Sequence, residues 1–214
     1  MDRRGVLVFG LVLCLLSAGC LELEGQNQEQ QELPIGEICE NITVSQSFVS
    51  TEDGLSRIDI MLATYARENT EDIIFELWEA DTRELITTYS VNAQSIRDNA
   101  YHSFRFDPIT NSAGRSYIFT LSSPRSFPGN AITAWYYPDD VYDGGTAIIN
   151  IVAIEGDLRF RVYHTYSPTE LAVFIFKRIS QDKIFFVFWC LLLIVTAAGI
   201  LRLHRKKCNQ SVKQ

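Results

Sequence analysis

LSRIDIMLATYARENTEDIIFELWE, residues 55–79, is the stretch whose pattern decides the fold. Ile58, Ile60 and Leu62 alternate with Asp59 and Met61; after a polar interruption, Ile73, Phe75 and Leu77 alternate with Ile74, Glu76 and Trp78. Successive side chains of a strand point to opposite faces, so a period of two with one apolar side marks strands, not helices. The signature recurs outward along the chain. Phe104 and Phe106 flank Arg105, Tyr117, Phe119 and Leu121 share a face, and Leu158, Phe160 and Val162 alternate with Arg159 and Arg161. Candidate strands cover 44–50, 55–65, 72–79, 85–91, 101–107, 115–122, 131–137, 146–152 and 158–166, divided by Gly, Pro, Asn and Asp. Short strands at this spacing predict an all-β domain of two packed antiparallel sheets, a jelly-roll β-sandwich.

Two apolar runs bracket that domain. Residues 184–201, IFFVFWCLLLIVTAAGIL, carry no charge. At 1.5 Å per residue, roughly 18 such residues cross most of a hydrocarbon core about 30 Å thick. Arg202, His204, Arg205, Lys206 and Lys207 follow at once, a cluster that belongs on the cytoplasmic side. At the other end, Arg3 and Arg4 precede the apolar run 5–16, and Ser17, Ala18 and Gly19 lead to Cys20. That is the layout of an export signal. LSAGC (16–20) resembles a lipobox, which makes Cys20 a lipidation candidate. The alternatives are an ordinary signal peptide cut nearby and an uncleaved anchor, for which the run is short. The expected plan is a signal peptide (1–19), a flexible polar leader (20–42), an extracytoplasmic β-sandwich (43–167), a juxtamembrane linker (168–183), one transmembrane helix (184–203) and a basic cytoplasmic tail (204–214). The leader assignment rests on LELEGQNQEQQELPIGE (21–37), too poor in apolar residues to bury a face. Within the linker, apolar 172–176 reads as a last edge strand or an interfacial segment.

The net charge of −7 is unevenly divided. Between Leu21 and Phe176 there is no lysine, and nine arginines face about two dozen acids. Such a surface repels nucleic acid and anionic headgroups, which excludes nucleic-acid binding. Cys14, Cys190 and Cys208 fall in the signal, the span and the tail, leaving Cys20 and Cys39, so no disulfide framework staples the domain. A Cys20–Cys39 bridge requires Cys20 to be retained and unlipidated. Asn41-Ile42-Thr43 fits a glycosylation acceptor.

The candidate ligand site lies in GNAITAWYY, residues 129–137. On a strand Trp135 and Tyr137 share one face with Thr133. Sugar recognition needs a flat aromatic surface for the C–H face and polar groups for the hydroxyls, and Trp135, Tyr137 and Asn130 with Asp139 and Asp140 provide both. The competing reading has Trp135 capping the core. Trp78 is a second aromatic candidate, and Arg115 is either a fork for a carboxylated ligand or the partner of a neighbouring acid. Asp139, Asp140 and Asp143, in a loop ending Gly144-Gly145, are candidate ligands for a structural Ca2+, although Asp and Gly are also ordinary turn residues. His102 and His164 come with no nucleophile motif, no HExxH and no glycine-rich phosphate loop, so no enzyme is expected.

Four stretches, 46–79, 96–124 (IRDNAYHSFRFDPITNSAGRSYIFTLSSP), 129–145 (GNAITAWYYPDDVYDGG) and 156–164 (GDLRFRVYH), together resemble the galactose-binding-domain-like accessory modules of bacterial and archaeal membrane glycosyltransferases and cell-surface proteins. The resemblance implies a jelly roll that binds glycans or other surface ligands through loops at one end, with a structural calcium in many members. The expected protein is a single-pass cell-membrane protein whose domain binds glycan or envelope polysaccharide. The alternative is a non-catalytic docking subunit of a secretion or glycosylation complex, with another membrane protein as its partner.

Overall fold

A computed structural model describes residues 20–173, 187, 191–192 and 194–199. Cys20–Tyr166 forms one compact unit, and the described residues from Ser167 onward belong to another. In chain order the first unit contains β1 (Leu21–Gln28), β2 (Leu33–Pro34), β3 (Thr43–Val49), β4 (Leu55–Ala63), β5 (Asp72–Glu79), β6 (Glu84–Asn92), a single 3-10 turn (Ala93–Ser95), β7 (Ala100–Ile109), β8 (Ser116–Ser122), β9 (Thr133–Tyr137), β10 (Ala147–Ile149), β11 (Val152–Ala153), β12 (Asp157–Leu158) and β13 (Phe160–Tyr166). One sheet runs β1-β13-β4-β9-β12, with β7 on β4 and β2 on β9; the other runs β11-β10-β3-β8-β5-β6. Every pairing within these sheets is antiparallel.

The two sheets pack face to face, as in a β-sandwich, because the period-two stripes supply one apolar face each. β5, β8 and β13 alternate buried and half-buried residues without a break. Ile58, Ile60, Leu62, Phe104, Phe160 and Val162 of the first sheet meet Phe48, Ile73, Phe75, Leu77, Phe119 and Leu121 of the second. Aromatic pairs lock the layers: Phe75 stacks on Phe104 at 4.1 Å and 9°, and Phe160 meets Phe119 edge-on at 5.5 Å. Each such side chain contributes roughly 1.5–3 kcal/mol through burial.

Four expectations change. The leader contributes strands: 21–28 is an edge strand on β13, from Leu21 opposite Tyr166 to Gln28 opposite Phe160, and Leu33–Pro34 pairs with β9. Low apolar content does not prevent this, because an edge strand gains its backbone ladder from a preformed neighbour and its glutamates meet arginines. The expected strand 146–152 is a hairpin, broken at Asn150, whose left-handed φ of 57° asparagine tolerates well. The strand 158–166 is interrupted at Arg159, whose N–H donates to Trp135 O at 2.9 Å while its carbonyl accepts from Met61 N at 3.0 Å. Residues 172–173 are helical rather than an edge strand. Ser167-Pro168-Thr169-Glu170 forms a capping box: Glu170 N donates to Ser167 Oγ at 3.3 Å and Ser167 N to Glu170 Oε2 at 2.8 Å, with proline at the first helical position.

The expected signal (1–19) and tail (204–214) lie outside the described residues, as does most of 184–203. Among the described residues, no helix is long and apolar enough to cross a membrane.

Candidate functional site

The expected site residues are dispersed. Ala134 and Tyr136 of β9 face the core, which turns Trp135 and Tyr137 outward as the strand period requires. Trp135 is half-buried, and its indole N–H donates to Asn99 Oδ1 at 2.9 Å. Asn130 is a loop clamp: its Oδ1 accepts from Thr70 N at 2.8 Å and its Nδ2 donates to Thr70 Oγ1 at 2.9 Å. Its amide is therefore engaged within the protein on both sides. Trp78 lies on the outer face of the other sheet and donates to Glu76 Oε2 at 3.2 Å. Arg115, beside that sheet, pairs with Glu79 at 2.8 Å, the second of its two expected roles. Thus Trp135 and Tyr137 share a face, while Trp78 and Arg115 belong to the opposite layer.

The loop after β9 is organised by a carboxylate outside it. Asp157, fully buried, accepts from Val141 N at 3.0 Å and Tyr142 N at 2.9 Å on one oxygen, and from Gln46 Nε2 at 2.9 Å on the other. Burial pushes its carboxyl above the ordinary range against these hydrogen bonds. Tyr142 then stands edge-on to Phe160 at 5.4 Å. At Gly145 a Cβ would lie 1.8 Å from Ser47 O, so only glycine lets the loop approach β3. Asp139, Asp140 and Asp143 remain exposed. Among the described residues, no group of three or more His, Cys, Asp or Glu side chains is arranged to hold a metal ion, so these carboxylates do not converge as expected for calcium. Cys20 and Cys39 are both free thiols, and Asn41 is exposed in a turn.

Both histidines pack against neighbouring side chains. His102 is packed edge-on to Phe104 at 4.9 Å. His164 is buried, which lowers it to about 4, and its Nε2 lies 2.9 Å from Ser50 Oγ. That hydroxyl donates to Glu52 O at 2.9 Å, so it accepts from the imidazole, the reverse of a nucleophile activated by a base.

Two features arise from strands brought together by the fold. The outer face of the first sheet carries Arg57, Arg105, Arg159 and Arg161 with Tyr101 and Tyr163, gathered by register from β4, β7 and the β12–β13 segment. The second feature is a concavity of about 470 Å3 lined by Ile86, Thr87 and Tyr89 of β6 and Arg105, Phe106 and Asp107 of β7. β6 ends one sheet, and β7 pairs with β4 alone in the other, so two strand edges border the groove. Tyr89 OH donates to Arg105 O and ties these edges together. The alternation of aromatic and polar residues in 85–91 and 101–107 is the only trace of this groove in the sequence; their approach belongs to the tertiary fold. No protein-family model matches the chain, and no curated protein matches it.

Proposed function

We propose that this chain is a membrane-anchored cell-surface binding module whose β-domain takes a glycan or envelope polysaccharide in the groove between β6 and β7. The groove carries the reading: about 470 Å3 is the size of a small-ligand site, and it offers Tyr89 and Phe106 for a sugar's C–H face beside Arg105, Asp107 and Thr87 for its hydroxyls. Trp135 and Tyr137 form a secondary aromatic platform on the outer face of the first sheet. A jelly-roll arrangement of the kind found in galactose-binding-like modules agrees with two antiparallel sheets packed on one core. The membrane anchor is supported by 184–203, where Val187, Leu191, Leu192, Ile194 and Val195 are apolar and more than half exposed. Cys20, next to Leu21 at the start of β1, is exposed and accessible to lipidation. No catalytic role is proposed.

The test is retention of the full chain in detergent on a polysaccharide array. Asp107→Ala weakens binding about tenfold, the loss of roughly one charge-assisted hydrogen bond, without lowering the melting temperature. Retention unchanged by Asp107→Ala and by Thr87→Ala removes the groove from consideration. The docking-subunit reading has its own support, the β10–β11 tip, where Ile151 is 96% and Val152 62% exposed. It calls for a partner that copurifies with the wild type and is lost from Ile151→Ser.

A further inference from the structure

The outer face of the first sheet is closed by the chain's own N-terminal segment, two arginines at a time. Arg57 and Arg105 stand directly opposite each other on β4 and β7, a repulsive pairing on its own. Glu22 of β1 bridges the two, accepting from Arg57 Nη1 at 2.5 Å and Arg105 Nη1 at 2.8 Å, while Asp59 Oδ1 lies 3.1 Å from Arg57 Nε. Arg159 and Arg161 are closed the same way by Glu29, just past β1: Arg159 Nη2 donates at 2.9 Å, and Arg161 Nε donates to the other oxygen. Gln31 accepts from Arg159 Nη1 at 2.5 Å, and Tyr101 OH donates to Glu29 at 2.8 Å. The Arg57 guanidinium also lies 3.4 Å above the Tyr163 ring, and Arg161 lies 4.1 Å from the Tyr101 centroid.

Apart from charge, backbone pairing and the amide hydrogen bonds of Gln26 with Val49 O and Thr51 Oγ1 and of Gln28 with Asp157 O, little holds this segment. Of the eight residues of β1 only Gln28 is buried, and Leu21 is 43% exposed. The ladder slips between Glu24 and Asn27, where Gly25 passes over His164 so closely that a Cβ would lie 2.6 Å from Cε1. A polar strand containing glycine is the kind whose pairing is weakly fixed and prone to exchange. Charge complementarity is close. Arg57, Arg105, Arg159 and Arg161, less Asp59, leave the bare face at +3, and Glu22, Glu24, Glu29 and Glu32 give residues 21–32 a charge of −4.

We propose that this arginine–tyrosine face is an exchange surface, on which residues 21–31 of one copy are replaceable by the same segment of a second copy to give a strand-swapped dimer. A second copy is the occupant because the fit is written into this sequence. A replacing strand must carry a glycine over His164, a glutamate three positions before it for Arg57 and Arg105, and another four positions after it for Arg159 and Arg161. Swapping costs little chemically, since the contacts made in trans are those broken in cis.

The experiment uses the full chain in detergent and a charge exchange. Glu29→Arg repels the segment from its own face, and Arg159→Glu with Arg161→Glu does the same from the other side. Each variant alone elutes as a monomer. Mixed, each variant's segment finds an opposite charge on the other copy, and the sample shifts to a 1:1 dimer of twice the mass. A mixture of folded variants that stays monomeric overturns the proposal. So does a charge-matched scrambled 20–32 peptide that dissolves the dimer as well as the native peptide, since the face is then a general acidic-peptide site. If either variant fails to fold, hydrogen exchange on the unmodified chain decides: at about 1 M salt, where screening falls to about 3 Å, β1 amides lose protection at least about tenfold and β8 amides do not. Equal protection of β1 and β8 in high salt overturns it equally.

Discussion

Glu29→Gln removes one negative charge from beneath Arg159 and Arg161, and its cost follows from the geometry. Burial pushes the Glu29 carboxyl up, but hydrogen bonds from Arg161, Arg159 and Tyr101 outweigh that and hold it at about 2, against an ordinary 4.5. The difference, about 2.5 pKa units at about 1.36 kcal/mol each, sets an upper bound near 3.4 kcal/mol. The Glu29 side chain is 35% exposed, so solvent screening reduces this to about 1–2 kcal/mol. Because the folded value lies below the ordinary one, the stabilisation is complete above pH 4.5 and is lost as pH falls toward 2. Urea unfolding, followed by tryptophan fluorescence, is expected to show Glu29→Gln less stable than the wild type by about 1–2 kcal/mol at pH 6, roughly 3–6 °C in melting temperature for a unit of this size. The gap closes as the pH approaches 2. A gap that is absent at pH 6, or that persists undiminished at pH 2, refutes the assignment of Glu29 as the charge that closes the arginine pair.

Other perturbations follow from the core and the loop. Phe160→Ala empties a fully buried site packed against Phe48, Phe119 and Tyr142 and is expected to cost about 3–5 kcal/mol in urea unfolding. Gly145→Ala drives a methyl into Ser47 O and is expected to cost about 1–3 kcal/mol, with protease cleavage appearing between Pro138 and Thr146. Asp157→Ala strips the acceptor from two backbone N–H groups and opens the same loop to protease, whereas chelating calcium with EGTA leaves the cleavage pattern unchanged. Ser167→Ala removes the cap of the helix beginning at 168 and lowers its stability by about 1 kcal/mol, measurable as lost amide protection at Glu170.

Much of the fold was legible from local chemistry. The period-two stripes of 55–63, 72–79, 116–122 and 160–166 determine which side chains point inward, and the sheets use those faces. Segment 184–201 is legible as composition alone, 18 uncharged apolar residues in a row, a length that suits a bilayer span. Residues 21–31 do not declare themselves as a strand for a physical reason: apolarity measures what a segment can bury by itself, whereas β1 depends on a ladder offered by β13 and on arginines far along the chain. Asn130 and Arg115 show the same limit, since each meets its partner, Thr70 or Glu79, only after distant strands pair. Sequence alone therefore determined the β-class, the inward faces and the apolar runs at the ends, all set by interactions between near neighbours. The arginine–glutamate clamps and the β6–β7 groove were decided by tertiary structure alone, because register between strands tens of residues apart places their parts side by side.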